Sequence, residues 1–398
     1  MPAQEDGDGV TAEQAVLAGQ LSGPWLGWRA RRPPAQRVHL DTAAAGRASA
    51  ATLAAAAAHA EREAVVGAYV AQAEAAPVLE RGRADLAGLL GVPAGGLAFT
   101  ESGSAARAAL LAAWPLPKGD TVAVTPSEWG PNLTAFTGRG LRTRMLAVHD
   151  DGTVDLDALQ RLLAGDPPAI VHLTQVASHR GLVQPVAEAA ALCRAAGVPL
   201  WVDAAQALGH ADTATDADAQ YATSRKWLAG PRGVGMLAVA ERWWGRLRVN
   251  ASPLARNGLP DDCSPVRLLE SEEAHIAGRA GLCTAAREYL DTGPSQVWQR
   301  LAEVGKLTRE ALTGVPGWQV TGPAAAGSAI TALRPAAGQD VAATRARLLG
   351  EHQIVTTAAH PARAPLEMTG PLLRISPHVD CTGEDLALLR AALTAMAG

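Results

Sequence analysis

Between residues 97 and 240, short apolar runs alternate with longer stretches of helical periodicity, the pattern of strands joined by crossover helices. The runs fall at 97–100, 121–125, 169–173, 199–202 and 236–239. Between the second and third, residues 155–164 place Leu156, Leu159, Leu162 and Leu163 on one helical face. Strands apolar on both faces belong in a sheet covered on both sides, so this half predicts an α/β fold with a doubly wound, mostly parallel sheet. Past Gly293-Pro294 the rhythm changes to a helix over 296–312, short strands around 318–320, 329–333 and 372–376, and a closing helix with Leu386, Leu389, Leu393 and Met396 on one stripe. The expected division is a large domain over 45–292 and a smaller α+β domain over 293–398. Ala54 to Ala58 form an alanine-rich patch inside a predicted long helix, and no internal repeat or low-complexity linker is present.

Composition narrows the field. At 398 residues, 48% hydrophobic, the chain is long enough for a large domain and a small one. The net charge of −4 offers no basic excess for nucleic acid. Residues 1–10 are acidic and polar without a signal pattern, and no run is long enough to span a bilayer, so a soluble cytoplasmic protein without membrane association is expected. The cysteines at 193, 263, 283 and 381 lack CxxC spacing, which argues against a metal site and against a disulfide framework.

Candidate chemistry begins with lysine. The chain has only Lys118, Lys226 and Lys306, and spends its remaining positive charge on arginine. Lys226 lies in Thr223-Ser224-Arg225-Lys226-Trp227-Leu228-Ala229-Gly230-Pro231, a loop ahead of an apolar run. Arginine pairs with anions as well as lysine does, but only lysine can lose its proton and attack an aldehyde, which points to a Schiff base. A surface lysine on a loop is the plain alternative. Upstream, Leu200-Trp201-Val202-Asp203-Ala204-Ala205-Gln206 is an apolar strand ending in a carboxylate. The two segments in this order resemble the pyridoxal phosphate (PLP) site of the class V aminotransferase and cysteine desulfurase superfamily. The likeness runs from His39-Leu40-Asp41-Thr42-Ala43-Ala44 to the final helix.

That resemblance implies a fold type I PLP enzyme and assigns roles. Lys226 carries the cofactor, Asp203 pairs with the pyridinium nitrogen and keeps it protonated, and Gln206 contacts the ring oxygen. Glu101-Ser102-Gly103-Ser104-Ala105 follows a strand and opens a helix, as a phosphate loop does. Ser102, Gly103, Ser104 and the Ala105 amide are its candidates, with alanine where the family has threonine; the plain reading is a serine N-cap. Thr223 and Arg225 complete the phosphate site, arginine replacing the usual histidine. Glu272-Glu273 fall where the family reaches a neighbouring subunit's phosphate, a contact that two carboxylates cannot make. In Ser127-Glu128-Trp129-Gly130-Pro131-Asn132, Trp129 takes the place of the histidine over the ring, offering a stacking face but no proton. Ser178 falls near the turn that faces the ring oxygen, His179 beside it is a candidate substrate contact, and Arg374 in Leu373-Arg374-Ile375-Ser376 matches the clamp for a substrate carboxylate. The family also implies a homodimer, with the residues before about 45 packed beside the small domain and the cleft.

Desulfurases of this superfamily carry a persulfide-forming cysteine on a loop shortly before the arginine clamp. Here that stretch is Thr357-Ala358-Ala359-His360-Pro361-Ala362-Arg363, with Ala362 at about the matching position and no cysteine between 284 and 380. Sulfur transfer through a protein persulfide is therefore disfavoured. Lys226 alone can remove Cα–H and let a good leaving group depart from Cβ, and sulfenate needs no general acid. The pattern thus resembles the C–S lyases that act on a small amino acid sulfoxide. Other class V activities stay open: an aminotransferase, an epimerase of the isopenicillin N type, or a cysteine or selenocysteine lyase. From another class, a non-catalytic PLP-fold binding protein is the alternative, opposed by Lys226, Asp203 and Arg374 occurring together.

Overall fold

The computed structural model describes residues 21, 23–250, 263–271, 273–322 and 327–396; the readings made on residues 1–10 and on Glu272 lie outside these. Thirteen strands are numbered along the described chain: β1 (Val38–His39), β2 (Leu97–Thr100), β3 (Thr121–Val124), β4 (Arg142–Met145), β5 (Ile170–Thr174), β6 (Leu200–Asp203), β7 (Ala219–Thr223), β8 (Gly235–Val239), β9 (Trp318–Thr321), β10 (Thr331–Pro335), β11 (Ile354–Val355), β12 (Thr357–Ala359) and β13 (Leu372–Ile375). The central sheet runs β2-β8-β7-β6-β5-β3-β4. Its β7-β6-β5-β3-β4 portion is parallel, while β8 is antiparallel to both β2 and β7. This is the α/β architecture expected.

Strand composition explains the layering. β5, β6 and β8 are buried at every position, as strands covered on both faces must be. β4, Arg-Thr-Arg-Met, is exposed throughout and closes the sheet with charged side chains that discourage further pairing. The crossover helix Leu156–Gly165 starts where Asp155 accepts a hydrogen bond from the Ala158 amide (2.9 Å), and it buries Leu159 and Leu163. On the same face of the sheet, helix Ile276–Thr292 packs against helices Ala50–Val66 and Ala68–Leu89. The approach is close enough that a Cβ on Gly82 would stand 2.1 Å from Cys283 Sγ, so only glycine fits there.

Helix Pro294–Leu312 gives Val297 and Leu301 to the core of the large sheet, and Val304, Ala311 and Leu312 to the core of the second sheet, β12-β13-β10-β9. The amino-terminal segment then ties both halves to the cleft. β1 pairs in parallel with β11, Asp41 bridges Ser376, and the Thr42 amide donates to the Ser376 carbonyl (2.8 Å). A few residues on, Gly46 sits under the Lys226 loop, donating from its amide to the Arg225 carbonyl (2.7 Å). A Cβ at Gly46 would lie 2.3 Å from the Lys226 carbonyl oxygen. Among the described residues no helix is long and apolar enough to cross a membrane.

Candidate active site

The carboxyl ends of β6 and β7 place Asp203 and Thr223 on one edge of the parallel sheet, the usual location of ligand sites in such folds. Lys226 follows three residues after β7. Burial pushes its amine down to about 7; Asp203 opposes that shift, and the cations of Arg225, Arg374 and Arg363 reinforce it. An amine so placed is a nucleophile and base near neutrality, which an exposed lysine is not. Asp203 is itself buried and held at both oxygens: Oδ1 accepts from the Ala205 amide (2.9 Å) and Oδ2 from Asn132 Nδ2 (3.0 Å).

Asn132 belongs to a buried network that sequence reading did not find. Its Nδ2 also donates to Glu128 Oε1 (2.7 Å), and its Oδ1 accepts from Arg107 (2.7 Å). Glu128 accepts further from Thr174 (2.7 Å) and from its neighbour Trp129's amide (2.8 Å), while its other oxygen meets His172 Nδ1 at 2.7 Å. His172 Nε2 in turn lies 2.8 Å from the Tyr221 hydroxyl. Burial pushes the Glu128 carboxyl up, but His172 and the donors Asn132 and Thr174 outweigh it, leaving a carboxylate held below its ordinary range. The signal was present in the sequence: His172 and Tyr221 are polar residues inside core strands, and such groups need partners.

The candidate phosphate loop is built as a helix start. Ser102 Oγ caps helix Gly103–Ala113 by accepting from the Ala105 amide (3.1 Å), so that amide is committed within the chain. The Gly103 and Ser104 amides, with the exposed Ser104 hydroxyl, remain free for an anion among the described residues. Glycine at 235 is what lets this loop settle on β8, since a Cβ there would lie 2.3 Å from the Ser102 carbonyl carbon. Gly103 lies against the end of β7, 3.8 Å from the Thr223 amide when given a Cβ. Arg225 is bonded to the Ala44 carbonyl. Its guanidinium is lowered by burial and by Arg232 and Arg363.

Arg374 is completely buried, with Nη1 donating to the Ser178 carbonyl (3.0 Å) and Nη2 to Asp41 (3.0 Å) and Thr357 (3.2 Å). Burial lowers it to about 10 against the pull of Asp41, so it stays cationic at neutral pH. Its Nε is buried without a partner among the described residues. Ser178 thus meets Arg374 through its backbone. His179, also buried, lies 3.3 Å from Glu367, which Arg180 engages as well; this places the imidazole in a salt-bridge cluster. Gln206 uses Nε2 on the Ala43 carbonyl (2.9 Å) and Oε1 on the Trp227 indole (2.8 Å), so its carboxamide braces the amino-terminal strap and the lysine loop. Trp129 is half-buried at the start of helix Gly130–Gly138. Gly130 is pressed against the Ala362 carbonyl, 2.1 Å from where a Cβ would stand. The loop that bears a cysteine in desulfurases therefore reaches the neighbourhood of Trp129 with alanine and arginine instead.

None of the three buried cysteines is primed as a nucleophile. Burial raises the Cys193 and Cys283 thiols to about 12 and pushes Cys381 well above its ordinary value.

A group with an aldehyde, a basic ring nitrogen and a phosphate fits what these residues offer. Lys226 supplies the amine, Asp203 the fixed carboxylate, and the free amides of Gly103 and Ser104, which lie against the end of β7, an anion site.

Comparison with known proteins agrees. The family model described as aminotransferase class-V matches residues 38–389. The chain is 48% identical over 371 residues to a probable hercynylcysteine sulfoxide lyase of Mycobacterium tuberculosis, covering 92% of each chain. Among solved structures, the apo cysteine desulfurase of Thermococcus onnurineus superposes with a TM-score of 0.80 at 19% identity, covering 91% of this chain and 95% of that one. A C-DES mutant with glycine covalently linked to its PLP cofactor superposes with a TM-score of 0.79 at 19% identity, covering 90% and 97%.

Proposed function

From the premise that the chain belongs to the aminotransferase class V family and is a PLP-dependent C–S lyase, we propose that its substrate is S-(hercyn-2-yl)-L-cysteine S-oxide. The products are pyruvate, ammonia and a sulfenate that becomes ergothioneine. The observation that carries this reading is the loop at Ala362, packed on Gly130 beside Trp129 and lacking the persulfide-forming cysteine. The relative at 48% identity, a probable lyase of that sulfoxide, supplies the substrate.

PLP held by these residues would supply an electron sink for the charge left on Cα when a bond there breaks. Lys226, with its amine near 7, takes the Cα proton. Arg374 holds the α-carboxylate, with Asp41, Thr357 and the Ser178 carbonyl fixing its fork. Asp203 would hold the ring nitrogen, its carboxylate fixed in place because Asn132 and the Ala205 amide bond both oxygens. No side chain need protonate the leaving group, because sulfenate departs as an anion and Trp129 offers no proton at neutral pH. Water completes the release of pyruvate and ammonia. The sulfenic acid lies two electrons above the thione, so an external thiol must reduce it.

We also propose a homodimer, supported by the exposed apolar residues Leu53, Val65, Tyr69, Val70 and Val78 on two adjoining helices. The substrate assignment is tested by incubating the holoenzyme with the sulfoxide and measuring pyruvate and ammonia. Equal release of both is expected, and recovery of intact substrate would exclude it.

A further inference from the structure

Among the described residues the lysine loop brings four basic side chains together, Lys226, Arg225, Arg374 and Arg363, and three of these have work assigned to them. In this reading Lys226 carries the cofactor, Arg225, bonded to the Ala44 carbonyl, belongs to the phosphate site, and Arg374 is tied to Asp41, Thr357 and Ser178. The fourth is Arg363. It ends the short turn Pro361–Arg363, which is fixed on every side. Before the turn, Thr357 on β12 donates to Asp41 Oδ1 (2.6 Å), and His360 Nδ1 accepts from the Ala362 amide (3.1 Å). Within it, the Ala362 carbonyl rests against Gly130. After it, Ala364 is fully buried and its carbonyl accepts from the amides of Glu367 (3.0 Å) and Met368 (2.8 Å).

The half-buried guanidinium carried by this rigid turn lies near enough to Asp41, Lys226, Arg225 and Arg374 to act on each electrostatically. Among the described residues it has no hydrogen-bond or salt-bridge partner of its own. A partly desolvated guanidinium whose neighbouring carboxylate, Asp41, is already bonded to Arg374 and Thr357 is costly unless a further anion completes it, and a guanidinium fork suits a paired-oxygen or charged-oxygen ligand.

We propose that Arg363 is a specificity-determining residue that binds an anionic oxygen on the substrate's side chain, beyond the α-carboxylate held by Arg374. Two such oxygens exist on the substrate proposed above, on which this inference rests: the sulfoxide oxygen, which becomes the sulfenate as the C–S bond breaks, and the distal carboxylate. Where desulfurases place a sulfur nucleophile, this chain then places a cation that receives the departing group.

The test compares wild-type holoenzyme with Arg363→Ala and Arg363→Lys on three substrates. They are hercynylcysteine sulfoxide, S-methyl-L-cysteine S-oxide, which lacks the distal carboxylate, and β-chloro-L-alanine, which has no side-chain oxygen. Pyruvate release gives kcat and KM separately, and cofactor affinity and absorbance report on the fold of the site. Loss of one charge-assisted contact lowers kcat/KM about 10- to 100-fold. A loss on both S-oxides but not on β-chloroalanine, mainly in kcat and partly restored by lysine, assigns the sulfoxide oxygen. A loss confined to the hercynyl substrate, mainly in KM, assigns the distal carboxylate. Equal losses on all three substrates, or none, would overturn the proposal. Wild-type enzyme that turns over β-chloroalanine but neither S-oxide would instead sink the sulfoxide reading itself, a result distinct from Arg363 proving idle.

Discussion

Lowering the pH should loosen the support beneath the lysine loop through two imidazoles that the mechanism does not use. Trp227, next to Lys226, is stacked on His210 with ring centroids 3.8 Å apart, and His378 lies 5.9 Å away on another side, itself stacked on Trp28 at 5.0 Å. The backbone fixes each tautomer. His210 Nε2 accepts from the Ala329 amide (2.9 Å), so Nδ1 carries the proton donated to the Gln206 carbonyl. His378 Nδ1 accepts from the Val379 amide (2.9 Å), so Nε2 donates to the Trp227 carbonyl (3.1 Å). A second proton on either ring would face a backbone donor inside the core. Burial lowers His210 to about 3 and His378 to about 4.

Folded values below the unfolded one mean that the unfolded chain binds more protons, so this contribution is present above pH 6.5 and is lost as pH falls. The loss approaches about 1.4 kcal/mol per pH unit for each ring, or about 2 kcal/mol each between pH 7 and pH 5. His378→Gln keeps an N–H for Trp227 and removes the titration. Denaturant unfolding of the holoenzyme at pH 7 and pH 5 should show the variant weaker at pH 7 by about 1 kcal/mol, from the lost Val379 contact. Its further loss on moving to pH 5 should be smaller than that of wild type by about 2 kcal/mol. Identical pH dependence in the two proteins would refute the reasoning.

Two further outcomes follow from the site. Lys226→Ala should abolish turnover and the absorbance of covalently held cofactor, while wild-type kcat rises with pH through about 7 as the amine becomes a free base; normal turnover by the variant would contradict its role. Arg374→Ala should raise KM about 10- to 100-fold for any α-amino acid substrate, measured by initial rates, and an unchanged KM would remove Arg374 from the carboxylate clamp.

The large sheet was legible where strands are apolar on both faces, as with Leu97–Thr100. β4 escaped notice because Arg-Thr-Arg-Met has no buried face, and β7 because Gln220 and Tyr221 interrupt its apolar run. Inside the fold those two are partnered: Gln220 donates to the Leu90 and Thr213 carbonyls and Tyr221 meets His172. β10 begins at Thr331, later than the apolar pattern at 329 suggests, because the Ala329 amide goes to His210 and the Ile330 amide to Ser328 Oγ (3.1 Å). In the site, Lys226 and Asp203 stand out because a strand end and a loop lysine are local features. Asp41 and Arg363 do not, since their meaning depends on chain threading that brings residues more than three hundred positions apart onto one cleft. Glu128 and Asn132 lay within a segment read for Trp129 alone, and only the buried hydrogen bonds show that they set the orientation of Asp203.

The most direct measurement is a product analysis with two substrates in separate reactions, hercynylcysteine sulfoxide and L-cysteine, using the same PLP-loaded protein. The account predicts pyruvate from the sulfoxide, dependent on Lys226, and no alanine or sulfide from cysteine. Alanine with sulfide from cysteine, and no pyruvate from the sulfoxide, would contradict it and place a sulfur nucleophile in the site after all.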